Sequence, residues 1–155
     1  MSVLGIFILA AAVLFTFFFN SLIIKRNVAD KAFALVRGLI KKRSELIADW
    51  LKTLPEDEQE NAEVQKVKEL SEQLLVLPET DRLKPDFLLS DALKNAAALP
   101  EIPEELREIE QNLQKARDYY NEAVANLTSA VSYQPGKLFA GMMHIKKYTP
   151  WQIEQ

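Results

Sequence analysis

Residue types that carry out catalysis or bind metals are scarce in this chain. It has 155 residues, one histidine and no cysteine, which excludes thiolate chemistry and disulfide bonds. A di-metal site in a helical bundle uses Glu-x-x-His motifs on two helices, whereas the residue three before His144 is Gly141. The four glycines form neither a phosphate-binding loop nor a dinucleotide-binding turn. The sequence therefore predicts no catalytic residue, no metal site and no cofactor, and we expect a protein that is not an enzyme.

Two acidic runs are the remaining candidates for binding chemistry. They are Glu56–Glu63 and Glu101–Glu108, and in principle such carboxylates gather cations. The interpretation we favour is a solvated helix start in each case, because carboxylates are stabilised by the positive end of a helix dipole.

Charge is distributed unevenly along the chain. Residues 1–24 carry none, residues 25–54 carry eight Lys/Arg against three Asp/Glu, and residues 55–134 carry eight against eighteen. The tail from residue 135 has three against one. Such asymmetry indicates a membrane surface or a charged partner more directly than the net charge of −3 does. We expect membrane lipid as a partner and no nucleic acid.

The N-terminal segment Val3–Ile24 is apolar almost throughout and predicts a transmembrane helix. About 20 apolar residues are enough to cross the hydrocarbon layer of a bilayer. A cleaved signal peptide is the competing interpretation, but it requires a basic start, a shorter apolar core and a small-residue cleavage site. No Lys or Arg precedes this run, and Lys-Arg-Asn follows it. We therefore expect an anchor that is retained.

The basic residues after the anchor predict its orientation. Positive charge near a transmembrane segment favours the cytoplasmic side, and the seven nearest Lys/Arg all follow the apolar run. The body is expected in the cytoplasm of a bacterium, with the N-terminus outside the inner membrane. Basic and aromatic residues at both ends of the body are the candidates for lipid contact: Lys25, Arg26, Lys146, Lys147 and Trp151.

Apolar residues after the anchor recur at spacings of three and four, which is typical of amphipathic helices. The first body helix is expected to continue the anchor without a break as far as Pro55. Gly38 within it suggests a close contact between helices. Three further helices are predicted, at Val64–Leu75, Asp86–Leu99 with Ala97 facing inward, and Pro103–Tyr133.

The predicted fold class is all-α: a transmembrane helix that continues into an antiparallel bundle of three to four helices. The expected organisation is an anchor over 1–24, a bundle over 25–134 and an aromatic, basic tail over 135–155. For the tail, three positions stay open: the headgroup layer, a neighbouring protomer, or the open end of the bundle itself.

Polar and apolar residues on one face of the last long helix predict a contact between helices or between protomers. Arg117 and Asn121 are four residues apart beside Tyr120. In an oligomer Arg117 would pair with a carboxylate such as Asp30, and the alternative is a salt bridge inside the bundle. The contact residues expected are Phe33, Arg117, Tyr120, Asn121, Val124 and Leu127.

Two segments resemble the LemA family. The first, NSLIIKRNVADKAFALVRGLIKKRSELI from Asn20 to Ile47, has the Arg-Asn pair, the Ala-aromatic-Ala motif and the basic run closing on Leu-Ile. The second, from Glu108 to Ala140, has the Ala-Arg and Tyr-Asn pairs and the aromatic-x-Pro stop. Departures are Arg37-Gly38 and the absence of proline at position 48, and the segment from Pro55 to Pro103 matches less well.

This resemblance implies long antiparallel helices on a membrane anchor and no enzymatic activity. Some members of the family are associated with specialised bacterial membranes, which favours a role in membrane organisation. We expect a structural or scaffold protein that self-associates as a homo-oligomer. The alternative is an accessory subunit of a larger membrane complex, with heterologous partner subunits.

Overall fold

The computed structural model describes residues 2–95 and 99–152, and these residues form helices and connections without a strand. The helices are α1 (Val3–Thr53), α2 (Glu56–Gln59), α3 (Ala62–Val76), α4 (Leu83–Lys94), α5 (Glu104–Ser132) and α6 (Gly136–Met142), with a 3₁₀ turn at Glu79–Asp81. The all-α prediction is confirmed. Ala97, expected to face inward, lies outside the described residues.

Helix α1 is continuous for 51 residues, which confirms that the apolar segment continues into the first body helix. No proline interrupts it before Pro55, and proline is the residue that most strongly breaks a helix. Its most apolar window of 18 residues has a mean hydropathy of 2.4, and none of that window is buried. Among the described residues, α1 is the one helix long and apolar enough to cross a membrane.

The chain divides into two compact units, each built from parts of α1 and α5. One comprises Met1–Phe33 and Tyr119–Pro150, and the other comprises Ala34–Asp118 and Trp151–Gln155. The first contains six Lys/Arg against two Asp/Glu, and the second thirteen against twenty. We call them the basic unit and the acidic unit.

In the basic unit, α1 is antiparallel to the returning chain. Phe15 contacts Phe139 with 4.8 Å between ring centroids, and Phe33 contacts Tyr120 at 5.3 Å. Residues later in α1 thus contact residues earlier in the returning chain of α5 and α6. Buried side chains of this unit are Leu22, Ala29, Ala32, Tyr120, Ala123, Val124, Leu127 and Phe139.

In the acidic unit, α3 and α4 pack together beside the C-terminal part of α1 and the N-terminal part of α5. The Trp50 indole N–H donates to the Glu101 carbonyl oxygen at 3.1 Å, and Arg43 contacts Glu110, so the two segments are antiparallel here as well. Apolar side chains from all four helices are fully buried, including Val36, Ile47, Val67, Leu74, Leu89, Leu106 and Leu113.

Two helix boundaries differ from the predictions. The acidic run Glu56–Glu63 is divided, because the Asn61 side chain caps α3 by accepting from the Glu63 amide at 2.9 Å. Helix α4 begins at Leu83 rather than Asp86 and ends at Lys94. Pro85 lies in its first turn, where the missing amide hydrogen would have had no partner inside the helix.

Gly38 does not mark the close contact between helices that its position suggested. Apart from its chain neighbours and the backbone of its own helix, no atom of the described residues lies within 4 Å of the point where a Cβ would stand. The prediction was wrong because Gly38 is on the exposed side of α1, and its identity there has no packing explanation.

Candidate functional site

Ionisable side chains from three helices meet inside the acidic unit. Arg43 comes from α1, Asp86 from α4, and Glu110 and Arg117 from α5, where a spacing of seven puts both on one face. Ser90 lies one helical turn after Asp86 and points the same way. We call these five residues, together with Trp151 of the C-terminal segment, the Asp86 cluster.

Asp86 is the acceptor at the centre of the cluster. Its Oδ1 accepts from Arg43 Nη2 at 2.5 Å. Its Oδ2 accepts from Arg117 Nη2 at 2.6 Å and from the Trp151 indole Nε1–H at 2.7 Å. The carboxylate is fully buried, so these three donors replace the water that would otherwise solvate it.

The two arginines share one further acceptor. Ser90 Oγ accepts from Arg43 Nη1 and from Arg117 Nη2, each at 2.9 Å. Arg43 Nη1 also donates to Glu110 Oε1 at 2.8 Å. The guanidinium of Arg117 lies over the Phe87 ring, with 4.9 Å from Cζ to the ring centroid, which is the geometry of a cation–π contact.

The cluster is electrically balanced, since two guanidinium groups face two carboxylates. Burial lowers the pKa of Arg117 below its ordinary value, while the negative charge of Asp86 raises it and the positive charge of Arg43 lowers it. Arginine remains charged in proteins, so the group is a buried ionic network. Among the described residues, Arg43 Nε, Arg117 Nε and Ser44 Oγ are buried without a hydrogen-bond partner.

This arrangement favours a structural role over a chemical one. Every oxygen of Asp86 is occupied by donors of the same chain, and the side chains that donate to it are themselves buried. No group of three or more His, Cys, Asp or Glu suited to a metal ion occurs in the described residues. His144 is exposed. The network fixes α1, α4, α5 and the C-terminal segment to one another within the acidic unit.

Arg117 pairs with Asp86 rather than with Asp30, which corrects the partner suggested for an oligomer and agrees with the alternative of a salt bridge inside the bundle. Asp30 belongs to the basic unit, where it accepts from the Tyr148 hydroxyl at 2.6 Å and lies 3.8 Å from Arg26. The burial of Tyr148 and its hydrogen bond to Asp30 raise its pKa to about 12.

Trp151 was predicted among the residues that contact lipid, and the structure places it elsewhere. Its side chain is 5 % exposed and donates to Asp86. The reason is that an indole N–H prefers an acceptor when its ring is buried, and Asp86 supplies a charged one. Of the other residues in that set, Lys25 is half-buried, and Arg26, Lys146 and Lys147 are exposed in the basic unit.

The predicted contact residues of α5 lie on its buried side. Tyr120, Val124 and Leu127 are at most 3 % exposed, and Asn121 is half-buried. Tyr120 contacts the ring of Phe33 and donates from its hydroxyl to the Thr149 carbonyl oxygen at 3.0 Å. Phe33 and Tyr120 therefore meet within a single chain.

Sequence reasoning missed Arg43, Asp86, Ser90 and Glu110, although a signal for one of them was present. Arg43 was assigned to the basic flank of the anchor, yet it lies three residues after Ile40 and four before Ile47, both of which are buried. A charged residue in an apolar stripe requires a buried partner. That spacing indicates burial but does not identify the partner.

Of three comparisons with known proteins, one found a match. The model of the LemA family matches residues 34–155, a range that contains the whole Asp86 cluster and the less similar segment from Pro55 to Pro103. No curated protein and no solved structure matches the chain significantly. Because the matched range covers well over half of the sequence, the chain belongs to the LemA family.

Proposed function

We propose that this protein is a non-enzymatic structural protein, anchored in a bacterial inner membrane by α1, that self-associates to scaffold the membrane. The observation that carries the proposal is the exposure of the apolar window of α1, none of which is buried by the rest of the chain. Exposed apolar surface of this extent requires lipid or protein to cover it. The same helix continues beyond the apolar window as far as Thr53.

The proposed orientation rests on charge. The basic unit includes the apolar span and has six Lys/Arg against two Asp/Glu. Lysine and arginine next to a transmembrane segment are retained on the cytoplasmic side and are attracted to anionic lipid headgroups. We therefore place the body in the cytoplasm, with Lys25, Arg26, Lys146 and Lys147 near the headgroups.

An accessory role in a larger membrane complex is the second candidate, and exposed apolar residues on α3 favour it. Val76 is 86 % exposed and the neighbouring Leu75 is 55 % exposed. Apolar groups at the centre of protein interfaces lose their contact with water on association. The same pair of residues also suits contact with a second copy of this chain.

Purification of the full chain in mild detergent, followed by light scattering and native mass spectrometry, separates these functions. A homo-oligomer of defined mass supports scaffolding, and unrelated chains that co-purify in fixed ratio support the accessory role. A monomer without partners would refute self-association. Val76→Asp should weaken the assembly if α3 mediates it, whereas Gln73→Asp adds the same charge to an exposed position of α3 and serves as the control.

A further inference from the structure

We propose that a groove between α1 and α3 in the acidic unit binds α3 of a second copy of this chain. The inference deepens the self-association proposed above, on which it rests, because it names the surface that mediates the contact. The volume of the groove is about 280 Å³, just below the roughly 300–1,000 Å³ of pockets for small molecules. A space of this size suits a few side chains of a docking helix better than a cofactor.

Each side of the groove is formed by one face of a helix. Residues at spacings of three and four share a helix face, and both helices line the groove with this spacing. Small side chains on one of these faces, at Ser44 and Ala48, allow the axis of a third helix to come close to α1. The lining residues include Ser44, Ala48 and Leu51 of α1 and Lys68, Ser71 and Leu75 of α3.

A buried hydroxyl without a partner lies in this groove. Ser44 is 3 % exposed, and its Oγ makes no hydrogen bond with any described residue. A buried polar group without a partner is destabilising and is rare in folded proteins. Because Ser44 lines the groove, a polar group that enters it can supply the missing partner.

Helix α3 itself carries the groups that such an occupant needs. Leu75 is 55 % exposed and offers an apolar side chain. Glu72, three residues earlier on the same side of the helix, offers a carboxylate that can accept from the Ser44 hydroxyl. Since these groups and the groove belong to one surface, two copies of that surface can fit each other, as an isologous contact requires.

The charges along the groove favour a second copy over lipid. Lys68 and Glu72 both line it, and they form no salt bridge within the described part of the chain, although they are four residues apart on one helix. A surface of one sign does not match this pair, whereas a second α3 carries both signs. Copies anchored by α1 in one membrane also hold the groove at the same height, so α3 of one copy meets α3 of the other.

Reversal of these two charges tests the contact. Lys68→Glu and Glu72→Lys variants of the full chain, purified in mild detergent, are followed by native mass spectrometry and light scattering over a dilution series. Each variant alone places like charges on both copies, so its dissociation constant should rise roughly tenfold. An equimolar mixture of the two, with different affinity tags, should form mixed dimers about as tightly as the natural chain, because every charge then faces an opposite one.

Two further variants complete the experiment. Ser44→Ala removes the unpaired hydroxyl and should weaken association by roughly three- to tenfold. Lys66→Glu is the matched control, since two residues correspond to ~200° around the helix and place it on the side of α3 away from Lys68. It should associate like the natural chain, and circular dichroism should show the same helix content in all variants.

Mixed dimers from variants that do not self-associate would identify the contact as intermolecular, because a defect within one helix would persist in the mixture. Natural association of the charge variants or of Ser44→Ala would overturn the proposal and leave self-association to another surface. Unrelated chains that co-purify with the natural protein and are lost with Lys68→Glu would assign the groove to a heterologous subunit instead. A natural chain that stays monomeric at every concentration would refute self-association and this inference with it.

Discussion

Asp86 shows how a single buried carboxylate organises its surroundings. Three donors from three separate parts of the acidic unit converge on its two oxygens, and two of these donors are cationic. The pairing of buried charges often contributes little to net stability, because desolvation offsets the attraction. Removing one partner, by contrast, strongly destabilises the fold, because a charge then stays buried without an opposite charge beside it. The cluster therefore specifies how the helices pair more than it adds to stability.

Asp86→Asn should lower the free energy of unfolding by about 3–5 kcal/mol, because it leaves Arg43 and Arg117 with one carboxylate between them. The substitution preserves shape, so no cavity contributes. Urea denaturation of the detergent-solubilised chain, followed by circular dichroism, measures the change. Asp91→Asn removes the same charge from an exposed position of α4 and should change stability by less than about 0.5 kcal/mol. Equal effects of the two substitutions would contradict the central role of Asp86.

Trp151 provides a spectroscopic check on the same site. In a Trp50→Phe background the remaining tryptophan emission comes from Trp151, and burial against Asp86 should shield it from brominated lipids. Phe7→Trp, in a chain that lacks both natural tryptophans, is the positive control within the span. Quenching of Trp151 comparable to that of the control would restore the headgroup position predicted from the sequence.

The members of the cluster were hard to predict because their partners are chosen by tertiary packing. Periodicity places Arg117 on the face of α5 that carries Leu113 and Tyr120, and this position makes it a candidate for pairing. Its partner is 31 residues away in sequence, with no local motif to indicate it. Trp151 was misassigned because an aromatic residue near lysines resembles an interfacial residue, and only the folded structure brings it to a carboxylate.

Among the helices, α1 and α5 were predictable and α6 was not. Long amphipathic stretches without proline leave few alternatives to a helix, and both long helices end close to the prolines that follow them. Helix α6 has seven residues, two of them glycine, so propensity alone does not predict it. Its existence depends on the contact of Phe139 with Phe15 and on the close approach of Gly136 to α5.

Gly136→Ala should displace α6 from the end of α5, since the added methyl group would collide with the Ala130 backbone. We expect the free energy of unfolding to fall by about 3 kcal/mol, at the upper end of typical overpacking effects, and proteolysis after Lys137 to increase. Gly141→Ala is the matched control, because a Cβ there meets no described atom within 4 Å apart from its chain neighbours and the backbone of its own helix. It should be neutral or slightly stabilising. Unchanged protease sensitivity in Gly136→Ala would show that α6 is not held in this way.

The segment after α6 should release from α1 at alkaline pH. Tyr148 has a pKa raised from 10 to about 12 by burial and by its hydrogen bond to Asp30. The protonated phenol is thus favoured in the folded chain, and its contribution to stability is complete below pH 10 and is lost between pH 10 and 12. Tyr148→Phe should be less stable than the natural chain at pH 8, because it lacks the hydrogen bond to Asp30, and this advantage of the natural chain should decrease as the pH rises from 10 to 12. Tyr133→Phe, at an exposed position, serves as the control, and its effect on stability should not change between pH 8 and pH 12. If the effect of Tyr148→Phe were also the same at both pH values, the proposed dependence of stability on the Tyr148 phenol would be excluded.

At the level of the whole molecule, charge separates the two units. The basic unit contains the apolar span and an excess of four positive charges, whereas the acidic unit has an excess of seven negative charges. Residues distant in sequence, such as Lys25 and Lys147, belong to the same unit. In the orientation that we propose, membrane potential and anionic lipid would both retain the basic unit at the cytoplasmic surface.

The orientation proposed for the chain, in a bacterial inner membrane, can be measured with two single-cysteine variants. Ser2→Cys precedes the span, and Glu72→Cys lies at an exposed position of α3. With a membrane-impermeant maleimide on spheroplasts, Ser2→Cys should be labelled at once and Glu72→Cys only after the membrane is permeabilised. The reason is that seven Lys/Arg follow the span within ~20 residues and none precedes it. Intact mass measured on the same samples should include residues 1–24. Labelling of Glu72→Cys in sealed spheroplasts would place the acidic unit outside the cell. A mature chain that begins near Asn20 would show that the apolar segment is a cleaved signal peptide and not a retained anchor.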